Sequence, residues 1–394
     1  MMTMNGNTTT RSMCLAAGLF LAVAVNGPAT GQTFETTAKQ SILVDYETGT
    51  VLFEKNADAT MFPASMSKIM TALLVFDRLR DGTFTLETKL PVSEKAWRMG
   101  GSKMFVRVGE DVSVEDLLRG VIVQSGNDAS IVFAEAIGGS EEAFAELMTK
   151  RALEIGLEGT VFRNATGWPD PDHVTTARDL AKLAGYVIRE FPDNYTYYSE
   201  TEFTYGKSLD GKPIKQSNRN PLLYQGVGAD GLKTGHTEAA GFGLTASGIR
   251  SDRRLVMVIH GLESVRARSQ ESRRLFDWGF RNFANYALFK AGDTVETASV
   301  WLGDKPTVAL VLKDDFIVTL PRGSRSGMKV AVKYQGPIST PIAKGQQVAI
   351  LEVSGTGIEP IRRPLFADED VGQLAFFGRI GSAISYIIFG APSG

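Results

Sequence analysis

A mainly helical stretch, residues 65–190, lies between segments that have the pattern of β-strands. Two apolar runs, residues 41–46 and 51–54, flank a turn that contains Gly49, which predicts a β-hairpin. A strongly apolar run, residues 255–261, follows the helical stretch and predicts another strand. Strands at both ends of such a segment need partners, so we expect one sheet, built from distant parts of the chain and covered by helices. The expected fold class is therefore α+β.

The N-terminus has the features of a secretory signal. Arg11 supplies a positive flank, residues 13–25 are apolar, and small residues at 28–31 precede a plausible cleavage site. The apolar run is too short to span a membrane comfortably, so we expect cleavage and export. The single cysteine, Cys14, would leave with the signal, which excludes disulfides in the mature chain even in an oxidising compartment.

The composition changes after the helical stretch and its strands. Short apolar runs between turn residues, from about residue 308 to 353, predict a small all-β domain. Farther on, six apolar residues fall on one helical face, and they are Phe376, Phe377, Ile380, Ile384, Ile387 and Ile388. This pattern favours an amphipathic helix that lies in a membrane interface; the alternative is a terminal helix docked on the protein. The expected division is a signal peptide at residues 1–31, a first folded domain at 32–289, an all-β domain at 290–366 and a membrane-anchor helix at 367–394.

Composition excludes two classes of function. The net charge of −2 gives no electrostatic basis for binding nucleic acid. The three histidines and the one cysteine form no His-Glu-x-x-His or Cys-x-x-Cys pattern, which argues against a zinc peptidase. We therefore expect no metal and no cofactor.

A serine and a lysine three positions apart, Ser65 and Lys68, begin the helical stretch. Residues i and i+3 share one face of a helix, so the two side chains can meet. A serine hydroxyl is a poor nucleophile until a base takes its proton, and a lysine can be that base when burial or a neighbouring cation keeps it neutral. Alone the motif is weak, because an ordinary amphipathic helix with Lys68 in solvent explains it better.

Two further motifs follow along the chain. Ser125-Gly126-Asn127 connects two hydrophobic helices, although turn chemistry alone also favours these residues. Lys233-Thr234-Gly235 lies in the strand-rich part that follows. In this order the three motifs resemble the signature of the penicillin-binding D-alanyl-D-alanine carboxypeptidases, which are relatives of the serine β-lactamases. Flanking runs that are similar to the same family are Asp45-Tyr46, Pro63-Ala64, Thr176-Ala177-Arg178-Asp179, Asn218-Arg219-Asn220 and His236-Thr237.

The resemblance implies a fold and a set of catalytic residues. The fold would be a β-lactamase-like catalytic domain, an antiparallel sheet covered by helices with a helical subdomain, followed by the all-β domain and the amphipathic helix. Ser65 would attack the carbonyl between two terminal D-alanines and form an acyl-enzyme. Lys68 would be the proton acceptor and Ser125 the proton relay. We expect the Lys233 ammonium to lower the pKa of Lys68.

The resemblance also implies a substrate-binding set, which consists of Asn127, Lys233, Thr234, Gly235 and His236, with Arg219 and Arg268 as secondary candidates for the substrate carboxylate. Gly235 would let the substrate backbone approach the strand closely. The backbone N–H groups of Ser65 and His236 would form an oxyanion hole.

The expected function is removal of the terminal D-alanine from peptidoglycan stem peptides that end in D-Ala-D-Ala. β-Lactams would be covalent inhibitors, and the protein would lie at the periplasmic face of the bacterial inner membrane. The alternatives are a transpeptidase or endopeptidase, a weak β-lactamase, and a non-catalytic β-lactam-binding protein. Residues 162–170 lack the deacylating glutamate of class A β-lactamases, which disfavours efficient β-lactamase activity. A protein that only binds β-lactams would not need both lysines, which argues against the non-catalytic alternative.

Overall fold

The computed structural model of the chain describes residues 34–208, 210–355 and 358–375. The expected signal peptide and residues 376–394 of the expected tail helix lie outside these residues. Within them, no helix has the length and apolar character needed to cross a membrane.

The described residues form helices and strands in the following order. The α-helices are α1 (Lys68–Arg80), α2 (Glu94–Arg98), α3 (Val114–Ile122), α4 (Asn127–Gly138), α5 (Glu141–Glu154), α6 (Ala177–Glu190), α7 (Pro192–Tyr195) and α8 (Val265–Asn282). The strands are β1 (Gln40–Asp45), β2 (Val51–Lys55), β3 (Lys89–Pro91), β4 (Asp111–Ser113), β5 (Glu202–Lys207), β6 (Pro213–Ser217), β7 (Ala229–Thr237), β8 (Gly241–Arg250), β9 (Arg253–Leu262), β10 (Phe283–Phe289), β11 (Thr294–Trp301), β12 (Thr307–Val311), β13 (Phe316–Pro321), β14 (Lys329–Lys333), β15 (Ile338–Ser339), β16 (Gln347–Gly355) and β17 (Ile358–Ala367).

One antiparallel sheet organises the first domain, with the strand order β2-β1-β9-β8-β7. Strand β1 pairs with β9, with Ile42 opposite Val258, so the prediction of one sheet from distant parts is confirmed. Alternate residues face opposite sides: Ile42 and Val258 contribute to the core around α1, whereas Leu43 and Met257 contribute to the core under α8. Helices therefore cover both faces of the sheet, and β7 is left at its edge.

Serine and threonine side chains, which favour helix starts, begin several of the helices. Ser113, Ser140 and Thr176 each accept a hydrogen bond from the backbone N–H group three residues later, at the starts of α3, α5 and α6. The helix after Ser65 differs from the prediction. Residues Ala64–Ser67 form a 3-10 turn, and α1 begins only at Lys68.

The second domain is all β, as predicted. It contains a six-stranded sheet in the order β14-β16-β17-β12-β11-β15 and the pair β10–β13. The sequence did not predict β10, β11, β15 and β17. Strand β17 contains Pro360 and Pro364, and proline cannot donate to a strand ladder, so the pattern does not indicate a strand there.

Both ends of the second domain differ from the expected boundaries. Strand β10 pairs with β13, although the expected boundary assigned its residues to the first domain. Val371 is buried and bridges Ile342, and Gln373 bridges Gly303. Residues 371–373 therefore pack on the β-domain, and the prediction that they begin the amphipathic helix was wrong, because the apolar side chain of Val371 is used in the core.

Candidate active site

The three sequence motifs meet between the start of α1, the α3–α4 turn and the edge strand β7. The Lys68 amino group donates to the Asn127 side chain at the start of α4, over 2.7 Å. Strand β7 passes close to the turn before α1, since a Cβ built on Gly235 would lie 2.7 Å from the Pro63 carbonyl oxygen. The tertiary structure thus gathers residues that lie far apart in the sequence.

Three polar atoms surround the buried Lys68 amino group. Its Nζ lies 3.1 Å from Ser65 Oγ, 2.7 Å from Asn127 Oδ1 and 2.6 Å from the Thr166 carbonyl oxygen. A deprotonated amino group keeps two N–H donors and gains one lone pair. The Asn127 and Thr166 oxygens can only accept, so they occupy both donors. The lone pair is then left for the Ser65 hydroxyl proton.

Burial, assisted by the charge of Arg219 and opposed by Asp128, lowers the pKa of Lys68 from 10.5 to about 7. The sequence-based prediction assigned this shift to Lys233, but desolvation is the main cause. The pKa of Lys233 is itself well below its ordinary value, because Lys233 is buried and because the Lys68 charge repels it. A substantial fraction of Lys68 is therefore neutral near pH 7 and can act as a base.

Ser65 owes its position to tertiary contacts rather than to a helix. The preceding residue, Ala64, has φ +48°, which is uncommon for any residue other than glycine. Gly167 packs directly against it, since a Cβ on Gly167 would lie 1.8 Å from the Ala64 carbonyl oxygen. Such backbone strain costs about 1–3 kcal/mol and persists only where the surroundings hold it.

Ser125 lies in the turn between α3 and α4, with φ +60°. Its hydroxyl is buried and has no hydrogen-bond partner among the described residues. Leaving a buried hydroxyl unpaired costs about 1–3 kcal/mol, so its presence calls for an explanation. A hydroxyl without a protein partner can still bond to a substrate group, which is what the predicted proton relay requires.

The start of α4 holds the loop of residues 100–106. The Asn127 backbone N–H donates to the Ser102 carbonyl, and Asn127 Nδ2 donates to the Gly100 carbonyl over 2.8 Å. The Asp128 carboxylate accepts bonds from the backbone N–H groups of residues 104–106. Nothing in the sequence indicated this role for Asp128, because its three partners are backbone groups that carry no sequence signal.

Four basic side chains surround this cleft without a matching acid among the described residues. No ion pair within the described residues involves any of these side chains, which are Lys68, Arg219, Lys233 and Arg268. Arg219 Nη1 donates to Ser102 Oγ over 2.6 Å, and Arg268 Nη2 donates to the Arg219 carbonyl. Burial lowers the pKa of Arg219, and burial together with the Arg219 charge lowers that of Arg268 to about 10. An anion that enters the cleft would relieve this repulsion.

The remaining candidates lie along β7. The Lys233 ammonium is buried and donates to the neighbouring Thr234 carbonyl over 3.1 Å. The exposed His236 ring stacks on Phe242, with 3.8 Å between ring centroids. The structure gives Gly235 a packing role in addition to the predicted one. The space that a side chain would need is occupied by the turn before Ser65, so the glycine lets β7 approach this turn.

Sequence reasoning missed two elements of the site. It searched residues 162–170 for a glutamate, whereas this segment supplies the Thr166 carbonyl to Lys68 and Gly167 to the Ala64 peptide. A backbone acceptor has no signal in a sequence.

In the described part of the chain, no group of His, Cys, Asp and Glu side chains could hold a metal ion.

Two family models match the chain. The model for D-alanyl-D-alanine carboxypeptidase matches residues 26–264, and that for the penicillin-binding protein 5 C-terminal domain matches residues 283–373. The chain is 38% identical to D-alanyl-D-alanine carboxypeptidase DacC of Escherichia coli K12, over 93% of each protein. It is 36% identical to DacA of Haemophilus influenzae, over 88% of each protein.

Solved structures give the same result. Penicillin-binding protein 5 from Haemophilus influenzae is similar with a TM-score of 0.79 and 36% identity, covering 87% of this chain and 100% of that one. D-alanyl-D-alanine carboxypeptidase DacD from Francisella tularensis is similar with a TM-score of 0.77 and 32% identity, covering 92% of this chain and 99% of that one. Both similarities extend over the two domains described above.

Proposed function

Since this chain belongs to the D-alanyl-D-alanine carboxypeptidase family and is a serine peptidase of that kind, we propose that Ser65 is its nucleophile toward peptidoglycan stem peptides. The observation that carries this assignment is the Lys68 amino group, 3.1 Å from Ser65 Oγ, with both donors occupied by Asn127 and Thr166. Ser65 Oγ attacks the carbonyl between the two terminal D-alanines while its proton passes to Lys68.

The negative charge that develops on the carbonyl oxygen is stabilised by the backbone N–H groups of Ser65 and His236. The proton on Lys68 then passes through the Ser125 hydroxyl to the leaving amine, and free D-alanine departs. Lys68 is neutral again after this transfer, so it can accept a proton from the water that attacks the ester. Hydrolysis restores the Ser65 hydroxyl and releases the shortened peptide.

The substrate carboxylate is proposed to bind Lys233 and Thr234, with Arg219 and Arg268 adding positive charge. The uncompensated cations of the cleft support this assignment, because a carboxylate supplies the anion that they lack. The same attack on a β-lactam amide would leave a covalent adduct on Ser65, since the opened ring stays attached and no amine departs. β-Lactams are therefore proposed as covalent inhibitors.

We expect the rate of D-alanine release from a peptide that ends in D-Ala-D-Ala to rise with pH and to level off above about pH 7. Lys68 has to be neutral to accept the proton, and its pKa of about 7 makes the neutral form the minority species below that pH. The rate should fall about tenfold per pH unit on the acidic side. The measurement is kcat/KM for D-alanine release at a series of pH values.

The matched control for this profile is His236→Gln, because His236 is the exposed histidine of the candidate site. The rise should persist in this variant; its disappearance would contradict the assignment of the profile to Lys68. An added peptide amine separates hydrolysis from transfer. A carboxypeptidase releases D-alanine without the amine, whereas release that depends on the amine would favour a transpeptidase.

We further propose that the protein is exported by residues 1–31 and attached to the periplasmic face of the inner membrane by its C-terminal segment. The apolar periodicity from Phe376 onward supports attachment. Deleting residues 376–394 should move the protein from the membrane fraction to the soluble fraction and leave its D-alanine release unchanged. The deletion starts there because Val371 and Leu374 bond to the β-domain. A truncated protein that stays with the membrane would contradict the anchor.

A further inference from the structure

A buried histidine beside the nucleophile takes no part in the proposed reaction. His173 Nε2 lies 2.8 Å from Ser67 Oγ, and its Nδ1 accepts a hydrogen bond from the Arg163 backbone N–H. Because Nδ1 is an acceptor, the ring proton is on Nε2, and His173 donates to Ser67. Burial lowers the pKa of His173 to about 4, so the ring keeps this single donor near neutral pH.

Ser67, which accepts the hydrogen bond from His173, forms a second hydrogen bond to the backbone of the residue before the nucleophile. With its lone pairs facing His173, the Ser67 hydroxyl donates its proton to the Ala64 carbonyl oxygen over 2.9 Å. That oxygen is also pressed against Gly167. The Ala64 carbonyl is therefore held from two sides, which explains how Ala64 keeps its φ of +48°.

The planarity of the Ala64–Ser65 peptide bond connects these buried hydrogen bonds to the cleft. In a trans peptide the carbonyl of one residue and the N–H of the next point in opposite directions and rotate together. Fixing the Ala64 carbonyl toward Ser67 thus fixes the Ser65 N–H toward the opposite side. We propose that His173 is a positioning residue, which acts through Ser67 to hold the Ser65 N–H in line with the oxyanion. This inference rests on the proposed function, in which that N–H is an oxyanion donor.

A second histidine holds the same segment farther back. His260 Nε2 lies 3.0 Å from the Phe62 carbonyl oxygen. This bond fixes the residues that lead into the turn, whereas the His173 bond acts on the peptide that contains the Ser65 N–H. A change at His173 should therefore affect the chemical step more than the binding of substrate.

The test replaces His173 with leucine, which fills similar space but cannot donate, and with glutamine, whose Nε2 can donate from a similar position. Removing one oxyanion donor costs about 100- to 1,000-fold in kcat, and a misaligned donor retains part of its effect. We expect His173→Leu to lower kcat for D-alanine release about 10- to 50-fold with little change in KM. His173→Gln should restore most of this loss.

Ser67→Ala breaks the same series of hydrogen bonds, which runs from His173 through Ser67 to the Ala64 carbonyl. It removes only one oxygen atom, so it can test the proposal if the His173→Leu variant does not fold. Its kcat should fall about tenfold. The His173→Leu/Ser67→Ala double variant should be no slower than the slower single variant, because both changes interrupt one series of hydrogen bonds. Ser41→Ala is the matched control: it removes a buried hydroxyl that donates to the Val258 carbonyl, within the sheet, and should keep the wild-type kcat.

Three results would overturn the inference: a wild-type kcat in Ser67→Ala, fully additive losses in the double variant, or no recovery with glutamine. A role in stability alone would lower the melting temperature of the Ser67→Ala and Ser41→Ala proteins alike and leave kcat per folded molecule unchanged. Failure of the proposed function is distinguishable, because the wild-type protein itself would then release no D-alanine.

Discussion

The Ser65→Ala variant should release D-alanine at least about 10⁴-fold more slowly than the wild type, and labelled penicillin should no longer attach to it. Removal of a catalytic serine nucleophile costs about 10⁶-fold in a well-studied serine peptidase. Here Lys68 would keep its bonds to Asn127 and Thr166 but would have no hydroxyl to deprotonate. The measurements are D-alanine release and covalent labelling of the purified protein by a fluorescent penicillin.

Ser67→Ala is the informative comparison, because Ser67 is the other serine of the motif. Its hydroxyl is fully buried and bonds to the Ala64 carbonyl and His173, so it cannot be the nucleophile. This variant should still be labelled, only more slowly. Labelling that persists in Ser65→Ala and disappears in Ser67→Ala would reverse the assignment of the two serines.

The Gly167→Ala variant should lose about 100- to 1,000-fold in kcat/KM. The new Cβ would lie 1.8 Å from the Ala64 carbonyl oxygen, whereas ordinary contact begins at 3.4 Å. The glycine also has φ +77°, which strains an alanine further. A shift of about 1 Å at a reacting group can cost about 100-fold. Here the shift would act on the Ser65 peptide and on the Thr166 carbonyl that bonds to Lys68.

The control for this substitution is Gly185→Ala, in α6. A Cβ there meets no atom within 4 Å, and alanine favours a helix by about 0.5–1 kcal/mol over glycine. This variant should keep wild-type activity and be slightly more stable. The melting temperature of both variants and kcat/KM for D-alanine release are the measurements. A Gly167→Ala protein with full activity would contradict the tight packing of its loop on the turn.

Local sequence signals predicted much of the fold correctly. The β1–β2 hairpin follows from two apolar runs around Gly49, and the helix starts at Ser113 and Thr176 follow from the ability of short polar side chains to bond nearby N–H groups. Strand β17, which the sequence missed, lacks such a signal, because it contains prolines. It is a strand because β12 and β16 flank it.

The three motifs also identified the family, because each contributes side chains whose chemistry is specific and whose order along the chain is readable. The sequence could not tell whether Lys68 is a base. A lysine in water is almost fully charged at neutral pH. Its pKa of about 7 results from burial and from the Arg219 charge, and its lone pair has a direction only because the Thr166 carbonyl and Asn127 occupy its donors.

The sequence by itself therefore determined the reactive groups, the family and the two-domain α+β architecture, since these depend on side-chain chemistry and on periodicity within short segments. Only the tertiary structure decided how the nucleophile is held. The 3-10 turn of Ser65, the left-handed Ala64 and the contacts of Gly167 and His173 depend on backbone atoms from distant segments. Backbone carbonyl and N–H groups are the same in every residue, so their partners become identifiable only when the chain is folded.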